Sequence, residues 1–156
     1  MVVVPKPKKP GQVRITIDCR MLNRALSSLK YVIPTTEEVS YDLNGATVFS
    51  RIDLSNAFHQ LALEQESSKL TTFLSPRGLL RWTRLFMGLY PASEELQHAL
   101  QYRVLRDLKG VRNIHDDLIV FGKGEKEHDE RLVATCKRLE ECGLTASFEN
   151  CSLGVK

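Results

Sequence analysis

The sequence predicts an α+β domain: an antiparallel sheet with helices packed on one face. Three observations predict it. Apolar segments come in pairs joined by turn chemistry, at 2–4 with 13–18, across 70–86, and across 111–121. Two amphipathic stretches follow, one after Pro91 and one from Glu125 to Cys142. Strands and helices alternate irregularly and with hairpins, which a parallel doubly wound sheet would not do.

The 156 residues suit one domain, with 42% hydrophobic and 26% charged residues. That composition excludes collagen-like, low-complexity and wholly disordered chains. Four cysteines are too few for a disulfide scaffold. No apolar run nears the roughly 20 residues a membrane span needs. The opening Met1-Val-Val-Val-Pro5 is too short for a signal-peptide core, and its basic residues follow the run. The expectation is an intracellular chain with reduced thiols, not secreted and with no membrane partner.

Val2–Val4 and the period-two run Val13–Asp18 flank Pro5-Lys6-Pro7-Lys8-Lys9-Pro10-Gly11, a hairpin with a lysine-rich tip. Residues 35–44 predict a short helix, capped by Thr35 or Thr36 and stopped by Gly45. Ala46–Ile52 is a β-branched strand ending at Asp53. Pro76-Arg77-Gly78 turns the hairpin of 70–86. The helix after Pro91 presents Leu96, Leu100, Val104 and Leu108 at i+4 spacing, and Gly110 follows. Val111–His115 and the run after Asp116-Asp117 form the next hairpin. The last helix turns Leu132, Cys136 and Leu139 inward and stops at Gly143.

The net charge of +3 hides a segregation. Residues 1–30 carry seven Lys/Arg against Asp18 alone, and residues 69–113 carry eight bases against three acids. The segments 31–68 and 114–156 are acidic. Basic blocks can hold a polyanion and the carboxylates between them a metal, though chance clustering on solvated faces gives the same pattern.

Asp53 ends an apolar strand, and Asp116-Asp117 interrupts a very apolar hairpin. A carboxylate at a buried strand end is costly unless protonated, paired or bound to a cation. If both strands lie centrally in one sheet, Asp53 and Asp116 can face each other across a gap of about 4.8 Å. Two such carboxylates can share a pair of Mg²⁺ ions for in-line phosphoryl transfer. Asp-Asp is also common in tight turns, and a lone Asp after a strand is often a cap. Spacing alone leaves both readings open. His128 with Cys136, Cys142 and Cys151 could nominally bind zinc, but no C-x-x-C pair supports it. There is no Walker motif, nucleophile elbow or H-E-x-x-H.

Five segments in register resemble a reverse transcriptase, in particular the Pol of gypsy-type LTR retrotransposons. VVVPKPKKPGQVRITIDCRMLNRA resembles the fingers hairpin and the R-x-x-x-D-x-R-x-L-N element. VFSRIDLSNAFHQLAL resembles motif A, and LTTFLSPRGLLRWTRLFMGLYPASEELQ the approach to motif B. VRNIHDDLIVFGKGEKEHDERL resembles motif C with its following helix, and GLTASFENCSLGVK the palm segment beyond. The resemblance implies a polymerase palm with part of the fingers and no thumb. Residues of about 1–45 and 62–88 would be fingers, and about 46–61 and 89–156 palm.

By that resemblance Asp53, Asp116 and Asp117 are the catalytic carboxylates, and with the Leu54 carbonyl they hold two Mg²⁺ ions, or Mn²⁺. Phe58 matches the aromatic gate that leaves no room for a ribose 2′-hydroxyl. Arg14 and Lys8 or Lys9 match the fingers groups on the triphosphate, where a guanidinium fork suits phosphate oxygens. Gln97 matches the motif B glutamine near the nucleotide. Arg20, Gly88, Ile114 and His115 fall where the family contacts primer and template.

The implied partners are an RNA or DNA template with its primer, dNTP, and the thumb, RNase H and integrase of a longer polyprotein. The implied setting is a cytoplasmic particle or the nucleus. Three positions depart from the family pattern. Phe86-Met87-Gly88 replaces Pro-Phe-Gly, Ile114 replaces a tyrosine, and Asn150-Cys151 replaces Lys-Cys. A rival from another class is a catalytically silent or co-opted remnant that binds nucleic acid or a protein without polymerising.

Overall fold

Strand and helix preferences along the chain resolve into eight short strands and six helices in the computed structural model, which describes residues 2–5, 11, 13–27 and 36–156. In order these are β1 (Val2–Pro5), β2 (Val13–Thr16), α1 (Arg20–Ala25), α2 (Thr36–Asp42), β3 (Val48–Asp53), α3 (Ala57–Gln60), α4 (Gln65–Leu70), β4 (Phe73–Ser75), β5 (Gly78–Leu80), α5 (Ala92–Ala99), β6 (Val111–Ile114), β7 (Asp117–Gly122), α6 (Glu125–Glu141) and β8 (Ser152–Val155). The mixed antiparallel class read from the sequence holds. The chain divides into two units, residues 1–29 with 58–93, and residues 30–57 with 94–156.

In the first unit β1 and β2 pair antiparallel from Val2↔Thr16 to Pro5↔Val13. Ile17 and Asp18, read from the sequence as strand, lie beyond β2; Asp18 instead binds Arg20 at the start of α1. The turn at Pro76-Arg77-Gly78 joins β4 to β5 as expected, with Ser75 paired to Gly78. Leu61, Leu63 and Thr83 link the chain before α4 to the chain after β5 through backbone bonds. Trp82 stacks on Phe86 at 4.8 Å and on His59 at 5.5 Å.

The second unit is built on a four-stranded antiparallel sheet, β6-β7-β3-β8. Alternation gives its faces opposite characters. The rows Val111–Val120–Ser50 and Asn113–Leu118–Ile52 are buried. The rows Arg112–Ile119–Arg51 and Ile114–Asp117–Asp53 lie on the other face and keep partial exposure.

Helix α6 covers the buried face, but not with the residues its apolar pattern suggests. His128, Thr135 and Leu139 are buried, Leu132 is half-buried, and Cys136 is exposed. Polar anchoring turns the helix. His128 Nε2 lies 2.8 Å from Ser50 Oγ on β3, and Thr135 returns its hydroxyl proton to the Arg131 carbonyl. Gly122 permits this approach, because a Cβ there would sit 2.6 Å from the His128 backbone nitrogen.

The helix after Pro91 also departs from its i+4 pattern. Beyond Ala99 it widens into a π turn over Leu100–Val104, closed by the bond from Leu105 N–H to the Leu100 carbonyl. The extra residue rotates the end of the face, so Leu96, Leu100, Val104 and Leu105 are buried while Leu108 is only half-buried. Arg138 of α6 donates to the Val104 and Arg106 carbonyls left open there.

Candidate active site

The acids converge at the end of β3. The register places Asp117, not Asp116, directly across from Asp53. The sequence alone suggests Asp116 as the acid that can face Asp53. The difference is one residue of turn. Ile114 pairs with Asp117, so the hairpin loop is His115-Asp116 and Asp117 already opens β7. A one-residue shift exchanges which side chains share a face. Asp116 sits exposed at the loop tip, and its carbonyl accepts the Leu54 N–H at 3.4 Å.

The electrostatics match a crowded carboxylate group. Burial, opposed by Arg51 and reinforced by Asp116 and Asp53, pushes the Asp117 carboxyl above its ordinary value. Arg51 Nη1 lies 3.8 Å from Asp117 Oδ2, a loose pair with both partners partly solvated. Asp53 Oδ2 accepts a bond from Asn150 Nδ2 at 3.0 Å. The Asp53 carbonyl accepts the Ser147 N–H, so the segment beyond α6 is laced to the end of β3.

His115 carries φ 55, unusual for a side chain larger than glycine. Its N–H is held by Gln97 Oε1 at 3.0 Å. Gln97 is 1% exposed, and its Nε2 donates to the Asn113 carbonyl at 3.1 Å. Asn113 Nδ2 returns a bond to the Gln97 carbonyl. The Gln97 side chain is thus spent on the motif-C hairpin itself.

Asp53, Leu54, Gln97, Ile114, His115, Asp116 and Asp117 all belong to the second unit. Arg14, Arg20, Phe58 and Gly88 belong to the first. Arg14 lies on β2 opposite Val4, and Phe58 is half-buried in α3. Lys8 and Lys9 lie outside the described residues. Arg20 is engaged by Asp18, whose carboxyl that bond holds down at about 2. Gly88 has φ +116, and its carbonyl accepts Asn23 Nδ2 at 2.8 Å. Its neighbour Met87 offers its carbonyl to Thr16 Oγ1. Residue 88 is therefore restricted to glycine, the one member of Phe86-Met87-Gly88 that keeps the family pattern.

Carboxylate oxygens and a backbone carbonyl are the donors a hard divalent cation takes. Among the described residues no three His, Cys, Asp or Glu side chains lie together so as to hold a metal ion by themselves. Mg²⁺ is commonly held by one or two carboxylates with waters and substrate phosphates, so the facing pair Asp53 and Asp117 is the set that fits it here. His128, raised from the sequence as a nominal zinc ligand, has both ring nitrogens engaged, by Ser50 and by Asp129. Sequence reasoning missed Asn150 and Arg51. Arg51 alternates with Ser50 and Ile52 on β3, a signal that would have placed it on the acids' face. No pattern in the sequence points to Asn150 touching Asp53.

An antiparallel sheet that ends in facing carboxylates, beside a two-residue loop carrying a third, defines a polymerase-type palm. Residues 4–155 match the family Reverse transcriptase (RNA-dependent DNA polymerase), and the chain belongs to that family. It is 34% identical over 157 residues to the uncharacterized protein K02A2.6 of Caenorhabditis elegans, covering 99% of this chain and 12% of that protein. It is 31% identical to the retrovirus-related Pol polyprotein from transposon 412 of Drosophila melanogaster, covering 97% and 13%. Among solved structures, the foamy viral protease–reverse transcriptase in complex with double-stranded DNA superposes with a TM-score of 0.85 at 25% identity, covering 99% of this chain and 26% of that one. The foamy viral protease–reverse transcriptase with an RNA/DNA hybrid, where the preceding structure is the dRH form, gives 0.79 at 25% identity, covering 97% and 20%. This chain spans about an eighth of the length of those two curated relatives. No helix among the described residues is long and apolar enough to cross a membrane.

Proposed function

We propose that the chain is the polymerase core of a retrotransposon Pol polyprotein and carries out RNA-directed DNA synthesis. The observation that supports this most directly is the row Ile114–Asp117–Asp53 on one sheet face, with Asp116 at the adjoining loop tip. Residues of about 46–61 and 89–156 act as palm, and about 1–45 and 62–88 as fingers.

Asp53, Asp116, Asp117 and the Leu54 carbonyl are the groups that would hold two Mg²⁺ ions. When bound, such ions supply an activated primer 3′-hydroxyl and neutralise charge at the α-phosphate and pyrophosphate. The chain's own residues do the positioning. Gln97 holds the His115 N–H and so sets the loop that presents Asp116 and Asp117. Ile114 offers an apolar surface beside Asp117 for the primer end. Arg14 and Lys8 or Lys9 grip triphosphate oxygens, Phe58 excludes a 2′-hydroxyl, and Arg20 and Gly88 lie along template and primer. Grip on the duplex runs through phosphates and therefore weakens with salt. The binding of duplex DNA and of an RNA/DNA hybrid by the foamy viral neighbours supports this substrate class.

Primer extension on a poly-rA template tests the reading, with Asp53→Asn as control. Template-dependent dTMP incorporation by the wild-type chain that the substitution abolishes is the expected result. Binding of template–primer with no incorporation, unchanged by the substitution, supports the silent remnant instead.

A further inference from the structure

The two facing acids are joined by a second route, through Asn150 and Arg51. Asp53 Oδ2 accepts Asn150 Nδ2 at 3.0 Å, and the Asn150 carbonyl accepts Arg51 Nη2 at 3.0 Å. Arg51 Nη1 then reaches to 3.8 Å from Asp117 Oδ2. The loop of contacts runs Asp53–Asn150–Arg51–Asp117 and returns through the strand pairing of β3 with β7. Asn150 is itself held in place. Its N–H donates to the Ser147 carbonyl, and the Ser147 N–H donates to the Asp53 carbonyl, so one tight turn over Phe148–Asn150 rides on the end of β3.

We propose that Asn150 is a positioning residue for Asp53. It sets the rotation of that carboxylate so that Oδ2 is held by the protein and Oδ1 faces a divalent cation. The proposal rests on the metal reading above and deepens it. The chemistry of position 150 matters because an amide donor orients a carboxylate without adding charge. Arg51 steadies the Asn150 carbonyl and offsets part of the charge on Asp117. Partners of this kind orient metal-binding groups, and their loss commonly weakens metal affinity by about 10- to 100-fold.

The test is a Mn²⁺ titration of the 156-residue chain, followed by electron paramagnetic resonance of the free ion, with no substrate present. The variants are Asn150→Ala and Asp53→Asn. Each is also melted without metal. Asn150 is exposed, so its variant is expected to melt within a degree or two of wild type. Asn150→Ala is expected to weaken Mn²⁺ binding about tenfold. Asn150→Ala binding within twofold of wild type overturns the inference and leaves the metal reading standing. If Asn150→Ala melts lower, Phe148→Ser, an exposed neighbour in the same turn, decides: equal weakening by it overturns the positioning role. A wild-type chain that takes up no Mn²⁺ overturns the metal reading and this inference together.

Discussion

Gln97 Oε1 accepts the backbone N–H of His115 at 3.0 Å, and that bond ties a buried helical side chain to the loop bearing the acids. The same amide gives its Nε2–H to Asn113, one step back along β6. One side chain therefore spans both sides of Ile114. Replacing it removes the partner of the buried Asn113 carbonyl and of the part-buried His115 N–H, a loss of about 1–3 kcal/mol carried mainly by the buried group.

Gln97→Met keeps the volume and removes the bonds. It is expected to lower the unfolding free energy by about 1–3 kcal/mol, read as a shift in denaturant midpoint at constant slope. Primer extension should fall with it, because the loop presenting Asp116 and Asp117 loses its anchor. A midpoint equal to wild type would show that the Gln97–His115 bond carries no net weight.

His115 adopts φ 55 in a two-residue loop. Left-handed backbone costs an ordinary side chain about 1–2 kcal/mol, and β-branching makes it worse. His115→Val is therefore expected to melt below His115→Gly by several degrees. His115→Gly should match or exceed wild type, since relief of the loop offsets the added freedom of the unfolded chain. The reverse order of melting temperatures would refute the strained-loop account.

Ser50 is 2% exposed and accepts the Gly154 N–H at 3.0 Å while bonded to His128. It joins β3 to α6 on one side and to β8 on the other. Ser50→Ala strips a partner from both, and about 1–3 kcal/mol of stability should go with it. Amide exchange at Gly154 should quicken more than at residues of β6. Uniform quickening across the sheet would mean that the hydroxyl serves general packing and not the attachment of β8.

Asp117 binds its proton more tightly in the folded chain than in the unfolded one, because burial and the neighbouring acids raise its pKa. For a raised acid the folded state holds more protons, so stability falls as pH rises through the interval between the unfolded and folded values. In buffer without divalent cations, Asp117→Asn should raise the melting temperature at neutral pH. The gain should shrink as pH drops below about 4, where the wild-type carboxyl is protonated in both states. Mg²⁺ should stabilise wild type by about 1.4 kcal/mol at ten times its dissociation constant, and this gain should vanish in Asp53→Asn.

Local chemistry was enough to locate the sheet strands that matter. Val48–Asp53 and Leu118–Phe121 are apolar and β-branched, Pro76-Arg77-Gly78 is turn chemistry, and Gly143 stops a long amphipathic helix; all stand where the sequence puts them. The short helices Arg20–Ala25, Ala57–Gln60 and Gln65–Leu70 and the strand Ser152–Val155 carry no such signal, being too brief for a period to register. The inward face of α6 was read from apolar residues, but His128 and Thr135 occupy it, because hydrogen bonds to Ser50 and along the helix satisfy them there.

The sequence by itself determined which acids stand apart, that they end or interrupt apolar strands, and the family whose motifs they complete. Those properties live in neighbours along the chain. Tertiary structure alone decided that Asp117 is the acid facing Asp53, that Gln97 is turned inward onto His115, and that Asn150 reaches Asp53 from 97 residues away. The physical reason is that register, helix rotation and long-range hydrogen bonds depend on a single residue of turn or π bulge. Such a shift changes no composition and no period, yet it moves every side chain beyond it to a different face.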